Sequence, residues 1–217
     1  ITRLRERGGA NHAQFLQGCA GNVNVKISGR EAADKAGQLL AEAVLAAASS
    51  AQPSTCLDLR TASEVVNLPW VGIPTLAEAR QALADAEHPG SRGQPFYKRP
   101  WAENLVRTLE TRRPPNQTEV LVQAMKVGDA VFLALPGEVF AEIGIEIKQR
   151  AGVEPLFLVA YANNGEIGYV PTAADFAAGG MEVDASPFYY GLLQLAPGCG
   201  KILIESALRV VRDVCAR

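Results

Sequence analysis

The chain has 217 residues, 48% of them hydrophobic and 20% charged, with a net charge of −2. This is ordinary globular usage, enough for one large domain or two small ones. It excludes the basic footprint of a nucleic-acid binder and a polybasic membrane patch, and no run of about 18 apolar residues offers a transmembrane helix. The opening Ile1-Thr2-Arg3-Leu4-Arg5-Glu6-Arg7 is charged, with no apolar stretch behind it, so no secretory signal is expected. Because Ile1 stands where a start would carry Met, the expectation is that upstream sequence is missing or separate. Cys19, Cys56, Cys199 and Cys215 are widely spaced. Their spacing disfavours a zinc ribbon or a disulfide scaffold and predicts buried thiols. The redox compartment stays open.

In chain order, residues 1–8 read as the tail of a helix stopped by Gly8-Gly9. Ala13 to Gln17 reads as a short apolar strand running into the turn Gly18 to Asn24. Ser28 is placed to cap a helix from Gly29 to Ala48, with Leu39, Leu40, Ala43, Val44 and Ala47 as its apolar stripe. Thr55 to Val71 has β patterning, broken by Pro69 and Pro74. Thr75-Leu-Ala-Glu78 is a capping box that opens a helix to Glu87. His88 to Pro95 is a loop, and Trp101 to Thr111 a short helix ending before Pro114-Pro115. Glu119 to Lys126, the turn Val127-Gly-Asp129 and Ala130 to Leu135 form the clearest hairpin. The second of those strands is apolar throughout, hence central. Glu138 to Arg150 is a helix, Leu156 to Ala160 a strand, Ala173 to Ala178 a helical turn and Gly198 to Val214 a long helix. Strands intermixed with helices predict an α/β fold, a mixed β-sheet flanked by helices.

The most informative stretch is Phe132 to Ser186. It sets Glu138 at a strand-to-helix switch and Tyr169 just beyond the next strand, and strand ends in one sheet open onto a shared crevice. Taken alone, Glu138 is an ordinary first-turn helix acid favoured by the macrodipole. Tyr169 alone is an ordinary core aromatic with a satisfied hydroxyl.

The motifs in this stretch resemble those of neutral (non-lysosomal) ceramidases and their bacterial relatives. Leu135-Pro-Gly-Glu138-Val-Phe-Ala-Glu-Ile-Gly144 is similar to that family's A-P-G-E-F-x-x-x-x-G. Asn164-Gly-Glu-Ile-Gly-Tyr169-Val-Pro-Thr172 matches N-x-Y-x-x-Y-x-x-T in part, and Glu182 and Ser186 fit Y-E-x-x-S. Phe15 to Asn24 resembles the turn carrying G-D-x-S-P-N, and Pro53 to Pro115 is the least diagnostic part. The resemblance implies that residues 1–217 form a single domain, the C-terminal portion of a larger catalytic domain. It implies a zinc-dependent amidase that hydrolyses an N-acyl sphingosine or related lipid amide with metal-activated water. Glu138 and Tyr169 are the implied metal ligands, with Tyr169 also assisting at the oxyanion.

The family's other two ligands are histidines of the first half of its domain. Here the only histidines are His12 and His88, and neither has ligand spacing to Glu138. The resemblance therefore implies zinc completed by two histidines from outside, supplied by a second chain or a missing N-terminal half. The chain alone should bind zinc poorly. In the G-D-x-S-P-N turn the family's Asp and Ser are Asn22 and Asn24. An amide is neither nucleophile nor general base, but it can donate a hydrogen bond. Asn24 is therefore the candidate that orients the substrate and Asn22 a candidate substrate contact. Met181 stands where the family has a second pocket tyrosine, which implies a reshaped substrate pocket. The rival expectation is a non-catalytic ceramidase-like protein, binding a lipid or glycan or assembling with a partner through a decayed site. Homo-oligomerisation and compartment stay open, although relatives are often secreted or membrane-associated.

Other constellations are weaker. Gly18-Cys-Ala-Gly21 lacks the Lys-Ser/Thr of a phosphate loop, and no histidine is placed to activate Cys19. Gly198-Cys199-Gly200 reads as a helix entry. The basic residues Arg92, Lys98, Arg99, Arg107, Arg112 and Arg113 read as a solvated face.

Overall fold

A computed structural model describes residues 2–8, 12–26, 28–52, 56, 58–87, 97–163 and 167–216. His88, Arg92 and the Asn164-Gly-Glu166 part of the second motif lie outside the described residues. The elements in order are α1 (Thr2–Gly8), α2 (Arg30–Ser50), β1 (Leu59–Pro69), α3 (Leu76–Glu87), α4 (Lys98–Thr111), β2 (Gln117–Val127), β3 (Ala130–Ala134) and β4 (Glu138–Val139). Then come α5 (Ala141–Ala151), β5 (Leu156–Val159), β6 (Tyr169–Val170), α6 (Ala173–Ala178), a π-helical turn (Met181–Ala185), α7 (Ser186–Tyr190) and α8 (Cys199–Ala216). The fold class is the expected one, a mixed sheet with helices against it.

The main sheet has the order β1-β2-β3-β5. β1 runs antiparallel to β2, β2 antiparallel to β3, and β3 parallel to β5. The β2–β3 pair is the expected hairpin, and β3 is central as its apolar run requires. Pleating sends alternate residues to opposite faces. Val66, Val120, Val122, Val131 and Leu133 are buried on one face, where α8 packs across β1, β2 and β3 and α5 packs beside it. Leu203, Val210, Val211 and Val214 of α8 recur at helical spacing and are buried in the same core. Glu64 of β1 anchors that packing: it accepts hydrogen bonds from Ser206 Oγ at 2.9 Å and Arg209 Nη2 at 2.7 Å.

The capping box forms as expected, with Thr75 N–H donating to Glu78 Oε2 at 2.7 Å and Glu78 N–H to Thr75 Oγ1 at 3.2 Å. Three expectations differ. Ala13 to Gln17 is no strand: among the described residues its backbone is bonded only through the Gln17 carbonyl, which accepts from Ala160 N–H at 2.9 Å, and Phe15 and Leu16 are exposed. Ser28 is not the cap of α2, because the N-cap is Gly29 and no side chain bonds there. The α2 stripe does not face the core: Leu39 and Leu40 are 58% and 51% exposed, and Ala41 is the buried residue of the helix. Periodicity marks an apolar face without saying what covers it.

Candidate functional site

Glu138 and Tyr169 meet through the backbone. Beyond β3, Leu135-Pro136-Gly137 turns the chain into β4, with Gly137 at φ 73°. A side chain at Gly137 would stand 2.7 Å from the Gly168 carbonyl, so only glycine fits this approach. β4 then pairs in parallel with β6, and Glu138 is the register partner of Tyr169. Glu138 N–H donates to the Gly168 carbonyl at 2.9 Å, and Phe140 N–H to Val170 at 3.2 Å. The two site residues thus sit on a separate two-stranded sheet rather than on two strand ends of one sheet. Glu138 is also not a first-turn helix acid. It precedes α5, whose N-cap is Phe140 and whose first-turn acid is Glu142.

The Gly18–Asn24 turn lies against β4. Gly21 N–H donates to the Val139 carbonyl at 2.9 Å, and a Cβ at Gly21 would come within 2.3 Å of the Glu138 carbonyl oxygen. That fixes Asn22 over the start of α5. Its Oδ1 accepts from Ala141 N–H at 2.9 Å, and its Nδ2 donates to Glu142 Oε2 at 2.7 Å. Asn22 therefore satisfies one of the orphan donors of the helix start, with both ends of its amide engaged inside the chain. Asn24 is exposed, and no hydrogen bond among the described residues joins it to Glu138. Met181 is 48% exposed at the start of the π-helical turn.

Two further tyrosines close on Glu138. Tyr161 OH donates to Oε2 at 2.8 Å, and Tyr190 OH donates to Oε1. Tyr161 adopts φ 58°, an uncommon left-handed conformation for a tyrosine, and its N–H donates to the Gly137 carbonyl at 3.1 Å. Tyr190 arrives from α7, and its ring stands edge-on to that of Tyr169 with centroids 6.2 Å apart. Among the described residues, three phenols thus surround the carboxylate. Burial, the hydrogen bond to Glu138 and its charge push the Tyr161 phenol up to about 12. Burial first, then the charge and hydrogen bonding of Glu138, raise Tyr169 as well. In the metal-free chain both phenols are protonated at neutral pH and serve as donors.

Sequence reasoning missed Tyr161 and Tyr190. Tyr161 had a signal, its place directly after a strand end that opens on the crevice. Tyr190 had none, because only the tertiary fold carries α7 back to β4. Cys19 is not an activated nucleophile: it packs under Gly144, and burial raises its thiol to about 11. Cys199 is buried in the helix entry and raised to about 11 for the same reason, whereas Cys56 is exposed.

As a metal site the cluster offers, among the described residues, oxygen donors only. Among the described residues no group of three His, Cys, Asp or Glu converges, and His12 is exposed. Zinc takes carboxylate oxygen readily but is generally held by three or four protein ligands, with nitrogen or sulfur among them. The oxygens of Glu138 and Tyr169 alone fall short of such a set.

No protein-family model and no curated protein matches the chain in sequence. Solved structures do match it in fold. The neutral ceramidase of Pseudomonas aeruginosa superposes with a TM-score of 0.54 at 18% identity, over 97% of this chain and 40% of that one. A ceramidase complexed with C2 superposes with a TM-score of 0.58 at 16% identity, over 99% of this chain and 41% of that one. The chain therefore has a ceramidase-like fold along nearly its whole length and spans about 40% of the ceramidases it resembles.

Proposed function

We propose that this chain is the C-terminal portion of a ceramidase-like catalytic domain, a zinc-dependent hydrolase of N-acyl amides whose substrate is a lipid amide. The observation that carries the reading is the β4–β6 register, which sets the Glu138 carboxylate and the Tyr169 phenol side by side. Glu138 and Tyr169 would hold zinc together with two histidines from outside these residues. Zinc supplies a Lewis acid and a water of lowered pKa.

The chain's own residues do the rest. Tyr161 and Tyr190 fix the Glu138 carboxylate through its two oxygens. Tyr169, holding the cation through its oxygen as a neutral phenol, would turn its O–H toward the negative charge that develops on an amide oxygen. Asn24 orients the substrate from the exposed end of the turn, and Met181 shapes the pocket rim. Asn22 holds α5 beside β4, so its contribution to substrate binding runs through that helix.

A second reading has a specific observation in its favour. Both oxygens of Glu138 are already engaged by phenols of this chain, the state expected of a decayed site in a lipid- or glycan-binding protein. Substitution separates the two. In the natural polypeptide that contains this sequence, Glu138→Gln should lower hydrolysis of a short-chain N-acyl sphingosine by at least about 100-fold, together with zinc affinity. A binding protein would show no turnover to lose and would keep its lipid after Glu138→Gln.

A further inference from the structure

The two faces of the main sheet differ in kind. One is buried beneath α8. On the other, Val65, Met125 and Phe157 are 61%, 41% and 47% exposed, and Phe132 stacks on Phe157 with ring centroids 5.0 Å apart. From Leu59 in β1 to Val159 in β5, Glu119 is the one charged residue on this face. Thr61, Ser63, Asn67, Gln117 and Gln123 make part of the face polar, but Met125, Phe132 and Phe157 are register partners and form one apolar row across three strands. A contiguous, charge-poor row of this kind marks a surface that another layer covers.

The related structures identify that layer: the ceramidases of the same fold carry more than this chain, which spans 40% and 41% of them.

We infer that this face is covered in the complete protein by a further layer from the remainder of the ceramidase-like polypeptide. This rests on the reading of the chain as a portion of a larger domain. Apolar side chains of such a layer would pack on the Met125–Phe132–Phe157 row.

The test uses the natural polypeptide that contains this sequence, with Cys56→Ser to remove an exposed thiol. Ser63→Cys and Gln123→Cys place near-neutral probes on the face. Maleimide labelling is followed alongside the mass by light scattering. The expected result is a protein of monomer mass whose probes react at least about 10-fold more slowly than in urea, with protection lost on adding Phe157→Lys. Three results would overturn the inference: free labelling of the native protein, protection that disappears on dilution of a dimer (a second copy), and protection only with phosphatidylcholine vesicles (a lipid surface). Glu138→Gln should leave protection intact. Loss of zinc and turnover with protection intact concerns the catalytic reading alone, whereas zinc binding with freely reacting probes sinks the docking alone.

Discussion

Tyr161 concentrates the local chemistry of the site. A left-handed backbone at a non-glycine residue costs on the order of 1 kcal/mol, and here two hydrogen bonds, to Gly137 and Glu138, hold it. Its phenol is pushed up to about 12 from an ordinary value of 10. A group whose folded pKa lies above its unfolded one stabilises the fold below the unfolded value. That contribution is fully present below pH 10 and is lost as pH rises through about 12. In the metal-free chain, difference absorbance of wild type against Tyr161→Phe should show one phenol that ionises near pH 12; a midpoint at pH 10 would contradict the assigned contacts. The raised value was not legible in the sequence, since it depends on a carboxylate brought from another strand.

At the scale of elements, what was legible was local. The capping box of α3, the β2–β3 hairpin and the long helix α8 each depend on neighbours a few positions apart, and each forms where expected. What was not legible depends on distant partners. Asn22 read as a substrate contact, yet its amide caps α5 from far upstream. Replacing it by Ala should destabilise the fold by about 1 kcal/mol in urea unfolding, and no change would show that the cap is idle. The Leu39–Leu40 stripe of α2 was identified correctly as apolar, but its expected core is not among the described residues. In α8, Leu203 is fully buried, so Leu203→Ala should cost about 2–5 kcal/mol. The clasp between β1 and α8 adds an acid dependence. The Arg209 hydrogen bond, then Ser206, holds the Glu64 carboxyl below its usual range against the cost of burial. Its stabilisation is present above the ordinary carboxylate range and is lost as pH falls through the lowered value.

Three features of the whole molecule motivate the proposal that the chain is part of a larger catalytic unit: a sheet covered on one face, a site that offers oxygen donors without nitrogen among the described residues, and a span of about 40% of the ceramidases that share the fold. The motif around Glu138 and Tyr169 was visible in the sequence because a turn glycine and a short parallel pair constrain residue types tightly. The two proposed histidine ligands were not, because His12 and His88 have no ligand spacing to Glu138. The most direct measurement is zinc content and affinity of the natural polypeptide, wild type against Glu138→Gln and Tyr169→Phe, after dialysis against a chelator and re-addition of the metal. One zinc per polypeptide, weakened by about 10- to 100-fold or more in each variant, is expected. A folded protein that takes up no zinc, or whose zinc is indifferent to both substitutions, would contradict the site.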